Sequence, residues 1–343
     1  MSAKRDVKRR QTVLRLTAVA AGLWAALLIA GMMTSPVNGD HSKLGEPVLP
    51  GFSETRTDAQ KIRFTMADDA YTLVRTARGW VMEESGQYPI RTDRLAALAT
   101  GLETLSYDEE RTNDPYKLDL LGLGSPDEGG NGVLIELTGS DGTTSAELIV
   151  GRKADTIYVR APGATQTYRT KGDLPPFYSR RAWLDFDIID IDPTAIRSVR
   201  ITDSGGQAVY LRRPPGTNER SFRPAPPNQN DRIRDRLAVS STALAITRLS
   251  ALDAKPAADL TTPSIAQHIS ETFDGLEVDL KAHREPDGLW VTLRAIEAGE
   301  GARRAQTIND KAEGWAFRLS DYDFQDFTPR VNGLVVQAEV NAP

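Results

Sequence analysis

The side chains that carry most catalytic chemistry are few and scattered in this sequence. The three histidines are His41, His268 and His283, and no HExxH or other metal-ligand spacing joins them. We interpret His268 as part of a helix and His283 as part of a hairpin, both at the surface. The segment 139–142, Gly-Ser-Asp-Gly, lacks the G-x-S-x-G spacing of a hydrolase elbow and is typical of a hairpin turn. Cysteine is absent, which excludes disulfides, thiol nucleophiles and thiolate metal sites.

Acidic residues supply the best candidate for a cation site. Calcium prefers several carboxylate oxygens, and four aspartates lie close together near the middle of the chain: Asp185, Asp187, Asp190 and Asp192. On a strand the first two would share one face and the last two the other, so we interpret them as a solvated strand edge or domain junction. Paired carboxylates of the glycosidase kind stay open as an alternative, because the distance between two acids cannot be read from a sequence.

Glycine-rich and aromatic segments favour structural roles. The glycines between residues 122 and 132 lack the Lys-Ser/Thr ending of a P-loop and follow no strand, so we interpret them as a loop. The tryptophans Trp80, Trp183, Trp290 and Trp315 fall in or beside predicted strands, which is more typical of a core than of a ligand platform. From these residues we predict no catalytic residue, no metal and no cofactor.

One apolar run divides the chain into two compartments. Residues 16–33 are eighteen residues without a charged or amide side chain. A helix of that length reaches about 27 Å, close to the hydrocarbon thickness of a bilayer. We therefore predict a transmembrane anchor, whose larger apolar side chains are Leu16, Leu23, Trp24, Leu27, Leu28, Ile29 and Met33. Six cations precede this run: Lys4, Arg5, Lys8, Arg9, Arg10 and Arg15.

The cationic flank sets the orientation of the predicted anchor. By the positive-inside rule the amino terminus lies in the cytoplasm and the main body is exported, which predicts a single-pass inner-membrane protein with a periplasmic body. A cleaved signal peptide is the competing interpretation, but the run exceeds a usual signal core and residues 32–34, Met-Met-Thr, offer no small-residue cleavage site. Since the net charge is −5 despite this flank, the exported part is acidic, which argues against nucleic acid as a partner.

The remainder of the chain has the pattern of an internal duplication. Short similar segments recur in the same order, at a spacing that grows slowly along the chain. The matched segments are 62–64 with 199–201, Trp80 with Phe222, 132–137 with 275–280, 141–142 with 287–288, Tyr168 with Phe317, and Leu184 with Leu334. A helix with apolar positions Leu95, Leu98, Leu102 and Leu105 is matched at the same helical spacing by Val239, Thr242, Ile246 and Leu249.

For each copy the sequence predicts several strands, one helix, three or four further strands and a short closing helix. The fold class is therefore α+β: one amino-terminal transmembrane helix, then two tandem, mutually similar domains of mainly antiparallel sheet with a few helices. A Pro- and Gly-rich segment separates the anchor from the first domain. The predicted divisions are a cytoplasmic tail 1–15, an anchor 16–33, a flexible tether 34–58, a first repeat domain 59–193 and a second repeat domain 194–343.

The order of these features resembles a known bacterial family. The motifs that carry the resemblance are Gly79-Trp80, Tyr88-Pro89, Leu121-Gly122-Leu123 with Pro126, Tyr158-Val159-Arg160, and the closing segment 315–322. They are similar to those of an uncharacterised domain-of-unknown-function family of single-pass envelope proteins that accompany ABC transporter components of the gliding-motility type. The resemblance implies an accessory role at a membrane complex and supplies no catalytic residue.

Two functions of different classes follow as expectations. The first is a non-enzymatic accessory or scaffold protein, held in the lipid bilayer by its anchor and associated with an ABC transporter or another envelope membrane protein. The second is a module that binds an envelope glycan or lipid in a cleft between the two copies, with Trp290 and Trp315 in the cleft. An envelope hydrolase is third, because no nucleophile, base and orienting group can be assembled. The oligomeric state is not set by the sequence.

Overall fold

The structure is a computed structural model that describes residues 43–218, 220–296 and 302–338. The predicted anchor at 16–33, its cationic flank within 1–15 and His41 lie outside the described residues. Within those residues no helix is both long and apolar enough to cross a membrane. What the structure does describe is a mostly antiparallel α+β protein built on two large sheets, as the alternating sequence patterns predict.

The first sheet has nine antiparallel strands. In chain order they are β1 (Lys61–Thr65), β2 (Ala70–Thr76), β3 (Gly79–Met82), β4 (Tyr88–Pro89), β5 (Ser106–Glu110), β6 (Val133–Thr138), β7 (Thr144–Lys153), β8 (Thr156–Arg160) and β9 (Tyr168–Lys171). Across the sheet their order is β4-β3-β2-β1-β6-β7-β8-β9-β5. Strand β6 shows why these segments are strands: its residues alternate between buried and half-buried positions, so one face packs into the core.

The second sheet has eight antiparallel strands, and a two-stranded ribbon accompanies it. The strands are β10 (Ile196–Thr202), β11 (Ala208–Arg212), β12 (Arg223–Pro224), β13 (Arg232–Ile233), β14 (Asp253–Pro256), β15 (Ala266–Thr272), β16 (Glu277–Glu285), β17 (Gly288–Ile296), β18 (Trp315–Leu319) and β19 (Val335–Val336). The sheet order is β12-β11-β10-β15-β16-β17-β18-β14, and β13 pairs with β19.

The strand orders of the two sheets correspond one to one. Reading from β3 to β5 in the first sheet and from β12 to β14 in the second gives the same sequence of hairpins and the same late return to the far edge. Strand registers confirm two of the sequence matches. Trp80 pairs with Arg75 of β2, and Phe222 directly precedes Arg223, which pairs with Arg212 of β11, so the two aromatic residues occupy equivalent places. Tyr168 and Phe317 are equivalent in the same way, since they pair with Val159 and Val291. This correspondence supports an internal duplication.

Two sequence matches are wrong: that of 132–137 with 275–280, and that of the turn 141–142, which joins β6 to β7, with 287–288, which lies at the turn from β16 to β17. The segment 132–137 contains β6, whereas 275–280 begins β16. By strand order the counterpart of β6 is β15, and β16 corresponds to β7. The pairings Phe64 with Ile135 and Ile201 with His268 show that Ile135 and His268 occupy equivalent places. Neighbouring strands of one sheet share the same two-residue alternation, so a short apolar pattern does not distinguish one strand from the next.

Six α-helices accompany the sheets in the described part of the chain. They are α1 (Phe52–Thr55), α2 (Thr92–Thr104), α3 (Arg236–Leu244), α4 (Ala302–Ala312), α5 (Asp321–Phe327) and α6 (Val331–Leu334). The helix predicted from Leu95 to Leu105 is α2, which buries Leu98 and Leu102. Thr92 is its first residue, and the capping position is Arg91. Helix α3 begins after Asp235, whose carboxylate accepts two backbone N–H groups.

Residues 43–58, within the predicted tether, are folded onto the first sheet. The backbone N–H of Gly45 donates to Tyr107 at 2.7 Å, and that of Val48 donates to Leu105 at 2.8 Å. Val48 and Phe52 are 5% and 3% exposed, so apolar burial holds this segment against β5 and α2 despite its Pro and Gly content. The chain thus enters the first sheet along the edge strand β5.

Candidate functional site

Two of the four aspartates considered for a cation bind other groups of the protein. Asp185 pairs with the ammonium group of Lys311 at 3.1 Å, and the carboxylate of Asp192 accepts from the backbone N–H and the hydroxyl of Thr194. Within residues 43–218, 220–296 and 302–338 no group of three or more His or acidic residues is arranged to hold a metal ion.

The prediction that His268 lies in a helix at the surface is wrong. It lies in β15 rather than in a helix, and it is fully buried. Its Nε2 lies 2.8 Å from the carbonyl oxygen of Thr242, which can only accept, so Nε2 carries the proton. Nδ1 then accepts from the hydroxyl of Ser270 at 3.3 Å. Burial lowers the pKa of His268 to about 4, so the ring is a neutral core residue at neutral pH.

One carboxylate in the described part of the chain has the raised pKa that a general acid uses. Burial, together with the charge of Asp323, raises the pKa of Asp326. Both residues lie on α5, where Asp323 forms the helix-start hydrogen bonds with Ser320. The two aspartates therefore lie near opposite ends of one short helix, and neither residue lines the pocket or the groove described below.

The tryptophans divide into three core residues and one at an opening. Trp183 is fully buried and donates its Nε1–H to the hydroxyl of Tyr71 at 2.8 Å. Trp290 is 4% exposed and is covered by the ammonium group of Lys255, 4.1 Å from the ring centroid. Trp315 is half-buried and packs edge-on against Tyr88. Trp80 is also half-buried, and it lines a pocket.

The junction between the two sheets is filled rather than open. The ring of Tyr88 lies 4.9 Å from that of Trp315 and 5.8 Å from that of Phe317. The hydroxyl of Ser85 donates to Asp253 at 2.7 Å, which joins the first half of the chain to the second. We call this set of contacts the seam. Aromatic rings occupy the place where a ligand between the two copies was expected.

A pocket of about 430 Å³ opens between the first sheet and α2. Its apolar lining comes from α1, α2 and the strands facing them, and includes Phe52, Ile62, Leu95, Leu98, Leu102 and Leu137. Two exposed arginines, Arg56 and Arg75, also line it, beside Trp80. The volume lies in the range of about 300 to 1,000 Å³ that is usual for small-molecule sites. We call this the α2 pocket.

In the second half the corner of this space next to the arginine is filled, whereas Phe222 and Val239, the counterparts of Trp80 and Leu95, line the groove described below. Arg75 donates from Nη1 to the carbonyl of Thr57 at 3.1 Å. Its counterpart Arg213 makes the same bond to Thr194 at 2.5 Å and a second one to Pro193 at 2.6 Å. Arg213, however, is 2% exposed and lies 4.8 Å from the ring of Phe222. The hydrogen bond from this arginine to a threonine carbonyl thus occurs in both halves. In the first half it lies beside an open pocket, and in the second half the arginine covers the buried ring of Phe222.

A larger, polar groove of about 810 Å³ lies beside α3 in the second half. Four exposed arginines line it: Arg220, Arg223, Arg232 and Arg236. None of the four lies within ion-pair distance of a carboxylate in the part of the chain that the structure describes. Asp231 also lines the groove and accepts from the amide of Asn228 at 3.1 Å. This arginine groove is suited to carboxylate or phosphate groups.

Neither the α2 pocket nor the arginine groove was predicted from the sequence. The α2 pocket depends on residues far apart in the chain, and its only local signals were the exposed Arg75 and the aromatic Trp80 on neighbouring strands. The arginine groove had a clearer signal, because five arginines fall within residues 220–236, four of which line the groove.

Comparison with known proteins places the chain in a family without an assigned activity. No curated protein and no solved structure matches it. The family described as Domain of unknown function (DUF4340) matches residues 80–267, which is more than half of the chain. The matched region runs from Trp80 in β3 to Gln267 in β15 and so includes parts of both sheets. The chain belongs to the DUF4340 family.

Proposed function

We propose that this protein is an accessory or scaffold protein of an envelope complex, anchored in the inner membrane with its body outside the cytoplasm. In this proposal residues 16–33 form a single transmembrane helix with the amino terminus inside, and the body binds a membrane partner, in the first instance an ABC transporter. The apolar run, its cationic flank and the acidic remainder support the location. Membership of a family without an assigned activity agrees with a binding role.

The observation that carries the proposal is the seam. Besides the aromatic contacts of Tyr88, Arg180 pairs with Asp69 in the first half at 2.5 Å and lies 3.6 Å from Asp253 in the second. Lys311 of α4 reaches Asp185 and the carbonyl of Asp187. Buried side chains form one continuous hydrophobic cluster across both halves. A body joined in this way holds a partner at a fixed distance from the membrane, as a scaffold requires.

The arginine groove is the surface that we assign to the partner. Its exposed guanidinium groups present several donors in a fixed geometry, which suits acidic side chains on a membrane protein. The rest of the body is acidic on balance, so this groove stands out as a local positive region. Opposite charge would steer the partner to this face.

The test is purification of the full-length protein from its native host in mild detergent, with quantitative mass spectrometry of co-purifying proteins. We expect ABC transporter subunits with the wild type and their loss on deletion of residues 1–34. Replacing Arg223 and Arg236 by Glu is expected to reduce their recovery at least fivefold, whereas Arg63→Glu, an exposed arginine on β1, leaves it unchanged. Recovery of no membrane partner with the wild type would overturn the proposal. Equal recovery with all variants would remove the groove from it.

A further inference from the structure

The proposed scaffold role gives no function to the α2 pocket. The packing around Arg75 differs from that around Arg213 in the second half, and this difference points to a ligand. In the second half the place of Ala59 is taken by Ile196, which is fully buried, and Arg213 covers Phe222. The equivalence is fixed by a backbone bond: the N–H of Arg75 donates to Gln60 as that of Arg213 donates to Arg197. The fold can therefore fill the part of this space next to the arginine, and in the first half that part remains open.

We propose that the α2 pocket binds one acyl chain of an anionic phospholipid from the membrane next to the protein. The acyl chain lies among the apolar side chains between α2 and β1, and the phosphate contacts Arg56 and Arg75. This inference rests on the proposed anchoring, because the anchor is what brings the pocket to a membrane surface.

The lining favours a hydrocarbon chain over a sugar or a nucleotide. The side chains that α2 contributes are Leu95, Leu98, Ala99 and Leu102, none of which can form a hydrogen bond. Burying hydrocarbon here removes apolar surface from water on both partners, at about 25 cal/mol per Å². A glycan in the same place would leave most of its hydroxyl groups without partners.

The charges at the opening favour an anionic head group. Arg75 is exposed, and within the described residues it has no carboxylate at ion-pair distance. Arg56 pairs with Glu103 at 2.6 Å, and both side chains are more than a third exposed, so water screens this pair and a phosphate can compete for the arginine. The nearby carboxylate of Asp58 is held by Ser140, through its hydroxyl at 2.6 Å and its backbone N–H.

The position of the pocket along the chain favours a lipid from the adjacent leaflet. The pocket is lined by α1 and by Arg56, which belong to the first described segment after the predicted anchor. Nine residues, 34–42, separate the anchor from that segment, and nine extended residues reach about 30 Å. The pocket therefore lies within a short tether length of the bilayer surface. Two other occupants, residues 34–42 themselves and a helix of a partner protein, are outcomes that the test separates.

The experiment places the full-length protein in lipid nanodiscs that contain a phospholipid with a photoreactive group on one acyl chain. Phosphatidylglycerol and phosphatidylcholine with the same labelled chain are compared, and crosslinked peptides are located by mass spectrometry. We expect crosslinks within residues 52–62 and 95–102, at least fivefold more with phosphatidylglycerol. Crosslinks between residues 34–42 and the pocket, or a pocket occupied by a co-purified protein, would overturn the proposal.

Three variants complete the test. Ala59→Ile, which copies Ile196 of the second half, is expected to lower the crosslinking at least fivefold. The double change Arg56→Gln and Arg75→Gln is expected to remove the preference for phosphatidylglycerol, and because both positions are exposed it does not depend on core packing. Arg63→Gln is the matched control, since Arg63 alternates with the lining residue Ile62 and faces the other side of β1. Unchanged crosslinking in the first two variants would overturn the proposal.

A flotation assay separates this inference from the proposed anchoring. If the wild type floats with vesicles and the variant lacking residues 1–34 does not, the anchor is established whatever the pocket binds. Pocket crosslinks that are absent from a protein that floats overturn only the lipid site. If the wild type does not float, the anchoring fails, and with it the membrane as the source of the ligand.

Discussion

The surroundings of Arg75 and Arg213 differ more than any other matched pair described here. Arg75 lies near the end of β2 and Arg213 directly follows β11, and both donate to the carbonyl of a threonine that precedes the first strand of their half. Arg75 is exposed at the mouth of an apolar pocket, whereas Arg213 is 2% exposed and covers the ring of Phe222. The hydrogen bond was kept in both halves, and the packing around it was not.

This difference shows that one neighbouring side chain can decide between a core and a pocket. Ile196 fills in the second half a place that Ala59 leaves open in the first. A side chain of three more carbon atoms removes volume that water or a ligand would otherwise occupy. A duplicated domain can therefore keep the hydrogen bond in both copies while the packing beside it changes, and the two copies then present openings of different chemistry, apolar in the first and arginine-lined in the second.

The largest expected effect is on the closed side of the comparison. Arg213→Ala would leave the carbonyls of Thr194 and Pro193 without this donor and open a cavity beside Phe222, so we expect a loss of about 4 kcal/mol in the free energy of unfolding. Arg75→Ala removes one bond at an exposed position and is expected to cost less than about 0.5 kcal/mol. Urea unfolding of both variants measures the difference. Equal losses in the free energy of unfolding would show that Arg75 and Arg213 contribute equally to stability, against this prediction.

The next effect sharpens the comparison at the equivalent positions Ile135 and His268. The pKa of His268 is about 4 in the folded protein, below the unfolded value of about 6.5, so folding favours the neutral ring. The stability that the neutral ring provides is complete above pH 6.5 and is lost as the pH falls towards 4. We expect the wild type to lose up to about 3 kcal/mol more than His268→Ile over that interval. Parallel curves of unfolding free energy against pH would contradict this.

The smallest of the three effects tests whether the two halves act as one body. Gly86 has a φ of 63°, and a Cβ atom there would lie 2.4 Å from Cδ of Pro256, across the seam. Gly86→Ala is expected to cost about 2 kcal/mol through this clash and the backbone strain. Gly163→Ala, at a similar φ of 75° with open space around it, is the control for strain alone. Hydrogen exchange at residues 253–256 should rise only in the first variant.

Strands and the main helix could be predicted from the sequence because their signals are local. The alternation of β6 and the spacing of Leu95, Leu98 and Leu102 each lie within one element. The burial of His268 could not be predicted, because the inward face of β15 carries Ala266, His268, Ser270 and Thr272, which do not form an apolar stripe. Only the carbonyl of Thr242, supplied by α3, makes that face suitable for a core.

The candidate site was harder to predict than the fold. The α2 pocket exists because α1, α2 and four strands meet without filling the space between them, and packing volume has no signature in a single segment. The match of segment 132–137 with the wrong strand has a related cause, since its alternation fits several places in the sheet. The anchor and its flank stay predictions, and the experiments above test them.

The pairing of residues 45–48 with β5 has a mechanical consequence. If the anchor holds one end of the chain, any pulling force on the body passes through this segment before it reaches the core. The backbone bonds from Gly45 to Tyr107, from Tyr107 to Glu46 and from Val48 to Leu105 would carry that load together, at 2.7, 3.0 and 2.8 Å. A sheet edge loaded through several bonds at once resists tearing better than a free loop. The attachment to the membrane would then yield only after this added edge had been pulled away, and the binding surfaces would keep their shape until that point.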